Sequence, residues 1–140
     1  MDRSAFDHGQ LPGSLELAFV GDTLWDLFVR ARLVKKGGRM KELNRAAVQC
    51  VCAAAQSQAL ARIEDSLTEE ENAVVRRARN ARQTPTKNAD PGDYHRATAL
   101  EALMGFLYLS GRIDRMKELM RAALPENDGE TPRTESCFQE

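Results

Sequence analysis

Residues 17–28 read LAFVGDTLWDLF, and the organisation of the fold follows from this stretch. Its apolar side chains are typical of a helix that packs against a core, so a helix is predicted over about residues 15–34. Asp22 lies within the run, between Val20 and Leu24. An ionised carboxylate in apolar surroundings is costly in free energy unless a partner, water or a metal ion compensates its charge. The chain must therefore supply one of these.

Glu101 repeats this pattern much later in the chain. It lies in RATALEALMGFLYL, residues 96–109, between Leu100 and Ala102. Two acids on core-like helices could meet across a helix–helix contact, where charge repulsion and burial both oppose ionisation. Mg²⁺ would compensate such a pair, because it binds few protein carboxylates and keeps waters and phosphate oxygens as its other ligands. From spacing alone, the alternative that each acid faces solvent stays open.

Two further residues are candidates for the same site. Asp26 follows Asp22 by four residues and shares its helical face, so it is a candidate additional metal ligand; the alternative is an ion pair with Arg30. His95 is close to Glu101 in sequence and is a candidate phosphate contact, with a surface histidine as the alternative.

The rest of the chain predicts an all-α fold, because no extended strand pattern is present. Thr68 and Glu71 form a capping box at the clearest helix start, and Asp93 is predicted to cap a later helix. The second helical region is long enough to favour a break near Cys52. The predicted helices cover about residues 15–34, 40–64, 69–82, 94–110 and 113–124.

Charge is distributed unevenly along the 140 residues, although the formal net charge is only −1. Residues 126–140 carry a net −4, which leaves the preceding 125 residues at +3. The length indicates about one domain. The sequence therefore predicts an N-terminal extension over 1–13, a catalytic domain over 14–125, and an acidic, disordered tail over 126–140.

A basic segment lies within this domain, at residues 76–88, and contains no acid. A local concentration of positive charge attracts polyanions even when the net charge is small. The alternative, that arginines at a helix end complement its dipole, accounts for only one or two of them. The candidate RNA-binding residues are Arg76, Arg77, Arg79, Arg82, Lys87 and Asn88, with His95 as a further candidate.

The three cysteines do not suggest a disulfide framework. Cys50 and Cys52 fall in an alanine-rich helical run, so we expect reduced, buried thiols and hence a cytoplasmic location. The N-terminal residues do not resemble a secretory signal, and the apolar run at 102–109 is too short to span a bilayer, so no membrane association is expected.

Several of these motifs carry a resemblance to a known family. FVGDTLWDLFVR, residues 19–30, is similar to the signature of the ribonuclease III superfamily, and ALEALMGFLYL, residues 99–109, resembles the second half of its site. EEENAVVRRARNAR at 69–82 and TPTKNAD at 84–90 resemble the Mini-ribonuclease III branch, the short form without a double-stranded-RNA-binding domain. Longer members carry further acids where this chain has Ala18 and Thr98, and the short branch similarly dispenses with both.

The resemblance implies a ribonuclease III-like helical endonuclease domain that hydrolyses double-stranded RNA. Asp22 and Glu101 would be the catalytic residues and would bind Mg²⁺, replaceable by Mn²⁺, which activates a water. It also implies a homodimer. Phe19, Trp25 and Phe28 of the first predicted helix are candidate interface residues, with core packing as the alternative for each of them. The implied substrate is a precursor of large-subunit ribosomal RNA in the bacterial cytoplasm, with plastids as a second setting. The alternative is a non-catalytic RNA-binding or dimerisation module with the same fold.

Overall fold

The structure, a computed structural model, describes residue 6 and residues 10–85 and 90–125. Within these residues it has six α-helices, one 3₁₀ turn and no β-strand, which confirms the predicted all-α class. The helices are α1 (Ser14–Lys36), α2 (Met40–Val51), α3 (Ala53–Ile63), α4 (Glu69–Arg79), α5 (Pro91–Leu109) and α6 (Ile113–Ala123), and the 3₁₀ turn covers Glu64–Ser66.

Helix α5 lies at the centre of the fold. From Ala97 to Leu107 every residue is buried except Glu101, so the helix is apolar on nearly all sides and requires neighbours around it. Helices α1, α3 and α4 pack against it and supply those neighbours. Glu101, the one charged residue in this part of α5, therefore lies where α5 meets the other helices.

Two glycines let α1 and α5 cross with their backbones in direct contact. A Cβ atom added to Gly21 of α1 would lie 1.6 Å from the carbonyl oxygen of Glu101. A Cβ atom added to Gly105 of α5 would lie 2.0 Å from the carbonyl oxygen of Leu17. Only residues without a side chain fit at these two positions, and the crossing point of the two helices is fixed there.

Local signals account for most helix ends. Thr68 and Glu71 form the predicted capping box. Cys52 has an extended conformation and separates α2 from α3, as predicted. Helix α4 ends at Arg79 rather than near Arg82, because Asn80 is its C-cap.

The predicted start of α5 is wrong by three residues. Asp90, not Asp93, is the N-cap, and its side chain accepts a hydrogen bond from the backbone N–H of Asp93 at 3.0 Å. Pro91 then occupies the first helical position, where its missing N–H and fixed φ are favourable.

Glu71 also joins α4 to α6. Its carboxylate accepts hydrogen bonds from Nε and Nη2 of Arg115, at 2.9 and 2.8 Å, while also accepting one from the backbone N–H of Thr68 at 2.9 Å. Burial alone would raise the pKa of Glu71, but these hydrogen bonds and the charge of Arg115 hold it below its usual value of 4.5. Ionised Glu71 therefore favours the folded state.

We expect Glu71→Gln to lower the free energy of unfolding by about 2 kcal/mol at pH 7, because Arg115 loses its bidentate partner. A lowered pKa stabilises the fold above pH 4.5, and this contribution is lost as the pH falls through the folded-state pKa. The difference between variant and wild type, measured by urea unfolding, should thus shrink below pH 4.5. Glu69→Gln, an exposed acid in the same first turn, is the control; an equal loss there would contradict the role of the pair.

The aromatic residues of α1 have different environments. Trp25 is fully buried, and its indole N–H donates to the carbonyl of Cys50 at 3.1 Å, so the prediction that it forms a dimer interface is wrong. Phe28 is partly buried, with its ring centroid 6.0 Å from that of Trp25. Phe19 is 82% exposed.

The expectation of reduced thiols is correct for one of the two helical cysteines. Cys50 is a free, buried thiol, and burial raises its pKa. Cys52 is disulfide-bonded, so that part of the prediction is wrong. The thiols therefore give no basis for assigning a compartment.

Some predictions concern residues outside the described ranges. Lys87 and Asn88, the tail over 126–140, and most of the extension over 1–13 belong to this group. Among the helices that the structure describes, none combines the length and the apolar character that crossing a bilayer requires.

Candidate active site

Asp22 and Glu101 lie together where α1 crosses α5. Gly21 places the backbone of α1 directly against the carbonyl of Glu101, and Asp22 is the next residue along α1. The side chain of Asp22 forms a hydrogen bond with that of Glu101. Asp22 is exposed and Glu101 is partly buried, so the pair has one side open to solvent and one side in the core.

The two carboxyl groups are too close for both to ionise without a cation. Burial, together with the hydrogen bond and negative charge of Asp22, raises the pKa of Glu101 to about 9. At neutral pH the metal-free pair therefore holds a proton. A divalent cation can replace that proton, since carboxylates must lose their protons to bind metal.

The donor set of this pair fits a hard cation. It consists of carboxylate oxygens, which Mg²⁺ and Mn²⁺ prefer, and the exposed side at Asp22 leaves room for water or phosphate ligands. Within the described ranges no group of three or more His, Cys, Asp or Glu side chains is suited to hold a metal ion. The pair is therefore incomplete as a metal cage and suits an ion that a substrate helps to bind.

Gln56 of α3 is a third member of the site that the sequence analysis missed. It is only 3% exposed, and its hydrogen bond to Glu101 opposes the rise in the pKa of that residue. The signal in the sequence was weak, because Gln56 and the exposed Gln58 alternate in one alanine-rich run. Gln56 gives the buried side of Glu101 a polar neighbour that carries no charge.

Asp26 and His95 have other contacts. Asp26 accepts a hydrogen bond from Nε of Arg30 at 2.9 Å, which is the ion pair that the sequence analysis gave as the alternative. The Nδ1 atom of His95 is buried, and its ring lies edge-on to Tyr94 with 6.2 Å between centroids.

The basic residues form a surface at the C-terminal end of α4. Arg76, Arg79 and Arg82 are exposed there. Arg77 is held by other groups, because its Nε and Nη2 atoms donate to the hydroxyl of Ser14 at 3.3 Å and to the carbonyl of Pro12 at 3.4 Å. It therefore attaches α4 to the start of α1 as well as contributing charge.

An open groove of about 550 Å³ separates the end of α4 from the start of α1. Three of its lining residues are arginines, and the first turn of α1 forms the opposite side. Cationic side chains beside the N-terminus of a helix create a positive potential that attracts anions. The lining residues are Ser14, Leu15, Glu16, Ala73, Arg76, Arg77, Asn80, Ala81 and Arg82.

Comparison with known proteins gives consistent results. A family profile described as Ribonuclease III domain matches residues 15–112, which include both acids. Mini-ribonuclease 3 of Symbiobacterium thermophilum is 45% identical over 111 residues, covering 78% of this chain and 85% of its own. Mini-ribonuclease 3 of Brevibacillus brevis is 43% identical over 123 residues, covering 86% and 92%. A crystal structure of a Fusobacterium nucleatum protein superposes with a TM-score of 0.76 at 32% identity, covering 81% of this chain and 94% of that one.

Proposed function

Since the chain belongs to the ribonuclease III family, and within it to the Mini-ribonuclease III branch, we propose that it cleaves double-stranded RNA with the help of a divalent metal ion. Its family and its ribonuclease III-like helical fold were both predicted from the sequence motifs and are confirmed. Endoribonuclease activity follows from the family. The contact between Asp22 and Glu101 is the observation that carries the proposed mechanism.

Asp22 and Glu101 hold the metal ion in this proposal, and Mg²⁺ or Mn²⁺ fits their oxygens. When bound, the ion offsets the charge of a phosphate oxygen and lowers the pKa of the water that attacks phosphorus. The exposed carboxylate of Asp22 faces the substrate side, while Glu101 is held from the core side by Gln56. Asp26 forms an exposed ion pair with Arg30, and the proposal assigns the metal ion to the two acids that contact each other.

The arginine surface at the end of α4 binds the RNA backbone in this proposal. An A-form duplex is recognised mainly through its shape, its phosphates and its 2′-hydroxyl groups, so exposed cations serve better than a base-reading element. Arg76, Arg79 and Arg82 are exposed and suited to this role, and Arg77 adds charge from its fixed position. Lys87 and Asn88 remain sequence-based candidates.

We expect Arg79→Gln combined with Arg82→Gln to weaken binding of duplex RNA about fivefold to twentyfold. The slope of log affinity against log salt concentration should also fall, by the amount that corresponds to the loss of about one to two phosphate contacts. The measurement is the dissociation constant as a function of salt, in Ca²⁺ or without metal to prevent cleavage. Arg121→Gln, an exposed arginine near the end of α6, is the control. An unchanged salt slope in the double variant would place these arginines outside the RNA interface.

A homodimer would give one duplex two acid pairs, one for each strand. Helix α1 carries a stripe of exposed apolar residues, with Phe19 82%, Leu27 63% and Val34 64% exposed. Their spacing places them on one face of the helix, which they share with the exposed Thr23 and Arg30, and exposed apolar side chains grouped in this way mark an interaction surface. We place the dimer interface on this face, where a stable contact buries about 800 Å² per partner.

Phe19→Asp should convert the dimer into a monomer, because a charge cannot be buried without a partner at the centre of an apolar interface. Light scattering should then give about 15.6 kDa instead of twice that mass. Met40→Asp, 68% exposed at the start of α2, is the control and should remain dimeric. A dimer that survives Phe19→Asp would remove this stripe from the interface.

We place the natural substrate among the precursors of large-subunit ribosomal RNA in the bacterial cytoplasm, in keeping with the bacterial sources of the similar sequences. The second candidate function is a non-catalytic module that binds RNA or dimerises. The pair of Asp22 and Glu101 favours catalysis, because a purely structural module gains nothing from two carboxyl groups that repel each other.

Incubation with a labelled RNA duplex tests the function directly. We expect the purified protein to cut the duplex with Mg²⁺ or Mn²⁺, to leave it intact in EDTA, and to leave each separate strand intact under all conditions. A transcript of the ribosomal precursor should be cut within a paired region. Binding of the duplex without any cleavage would favour the non-catalytic module.

A further inference from the structure

Gln83 lies within the basic segment and forms a hydrogen bond with α5, the helix that carries Glu101. Its Nε2 atom donates a hydrogen bond to the hydroxyl of Thr98 at 2.8 Å, and that hydroxyl donates to the carbonyl of Tyr94 at 3.1 Å. Thr98 is only 6% exposed, so water does not readily replace the contact. Both functions of the hydroxyl, acceptor and donor, are therefore used.

The position of Thr98 on α5 relates this contact to the acid pair. Thr98 precedes Glu101 by three residues, which places both on the same face of the helix about one turn apart. Gln83 directly follows Arg82 in the chain. The hydrogen bond therefore joins the last arginine of the described basic segment to a point one helical turn from Glu101.

The backbone near Gln83 has little regular structure of its own. Helix α4 ends at Arg79, and the following residues pass through a turn at Asn80 before residues 82–85, which are neither helix nor strand. In a segment of this kind, attachment to a buried group on a rigid helix limits where the chain can lie. Gln83 provides such an attachment.

We propose that Gln83 and Thr98 are positioning residues that hold the described part of the basic segment, residues 76–85, at a fixed distance from the acid pair. RNA phosphates bound by Arg82 would then place the phosphate to be cut beside Asp22 and Glu101. This inference rests on the proposed function and adds to it a preordered RNA-binding segment, so that binding the duplex does not first have to order the chain that carries Arg82. Neither residue touches the substrate in this role, and neither binds the metal.

Kinetics on duplex RNA test the role of the hydrogen bond. Gln83→Ala and Thr98→Val should each raise KM about fivefold to tenfold, the effect expected for the loss of one well-formed hydrogen bond, while kcat changes by about twofold or less. Thr98→Ser keeps the hydroxyl and should behave as wild type. Ser110→Ala removes a hydroxyl that bonds only within α5 and its C-cap, to Phe106 and Leu107, and is the matched control.

The double variant distinguishes positioning from simple stabilisation. Combining Gln83→Ala with Thr98→Val should raise KM no more than either single change, because both remove the same bond. Binding of Mn²⁺, measured by calorimetry without RNA, should be unchanged in all variants. A merely structural role would instead lower the melting temperature and the active fraction while leaving KM as it is.

Two results separate the failure of this inference from the failure of the proposed function. A wild-type protein that cuts duplex RNA, with both variants retaining its KM, overturns the positioning role alone. A wild-type protein that neither binds nor cuts duplex RNA overturns the proposed function and the positioning role with it.

Discussion

Asp22→Asn and Glu101→Gln should each slow the cleavage of duplex RNA by about a thousandfold or more, because in the proposed mechanism a bound metal ion would lower the barrier by several kcal/mol and each change would remove one of its two proposed ligands. The described residues offer no third acid in the cluster to take over. Single-turnover cleavage rates at saturating Mg²⁺ measure the loss. Asp114→Asn, an exposed acid at the start of α6, should cleave as wild type does.

Unfolding of the metal-free protein tests whether the loss of activity in these variants comes from a loss of folding. In EDTA at pH 8, Glu101→Gln should raise the free energy of unfolding by about 1–2 kcal/mol, because the buried carboxyl of Glu101 must keep its proton in the folded state but ionises in the unfolded chain, whereas glutamine does not titrate. With its pKa raised to about 9, Glu101 favours folding below pH 4.5, and that contribution is lost as the pH rises toward 9. The difference in the free energy of unfolding between Glu101→Gln and wild type should therefore grow as the pH rises from 4.5 toward 9. Cleavage retained in either variant would contradict the assigned roles.

Gly21→Ala should prevent the native fold from forming, with a loss of about 4 kcal/mol or more in the free energy of unfolding. The added Cβ would lie 1.6 Å from the carbonyl oxygen of Glu101, 2.4 Å from its carbonyl carbon and 2.9 Å from its Cα. All three are backbone atoms of a buried helix, so no side-chain rotation can relieve the clash. Gly105→Ala should behave similarly, with its Cβ 2.0 Å from the carbonyl oxygen of Leu17.

Gly92→Ala is the matched control for both changes. It lies in the first turn of α5, and its added Cβ would meet one atom, Oδ2 of the N-cap residue Asp90, at 3.2 Å, so a shift of a few tenths of an ångström in this side chain makes room for it. Alanine also has the higher helix propensity, so stability should change little. Thermal unfolding followed by circular dichroism compares the variants. A Gly21→Ala protein that melts within a few degrees of wild type would show that α1 and α5 do not cross as described.

The parts of this structure that sequence could predict depend on neighbours in the chain. The capping box needs only Thr68 and Glu71, three residues apart, and the break between α2 and α3 follows from helix length. Asp90 and Asp93 both suit an N-cap, and the proline after Asp90 was the signal that separated them. Each of these predictions, whether correct or wrong, depends on residues only a few positions apart in the chain.

Contacts between distant segments could not be predicted in the same way. Trp25 packs into the core, where the carbonyl of Cys50 satisfies its indole N–H, and no helical pattern distinguishes such a residue from one at an interface. In the sequence, Gln56 and Gln58 cannot be told apart; only the packing of α3 against α5 shows that Gln56 is buried beside Glu101 and Gln58 is exposed. The proximity of Asp22 and Glu101 was predicted as a hypothesis from two acids in apolar runs, but their assignment to one family required the motifs around them.

The contact of two bare backbones at Gly21 and Gly105 has a consequence for redesign. Main-chain atoms fix the point where α1 crosses α5, and Asp22 and Glu101 lie at this crossing. Volume-conserving substitutions at Leu119 or Met120 of α6, both buried and on a helix that contributes nothing to the acid pair, could therefore tune heat tolerance without moving the acids apart. A thermostable nuclease could be sought by altering the interior while leaving the glycine crossing untouched.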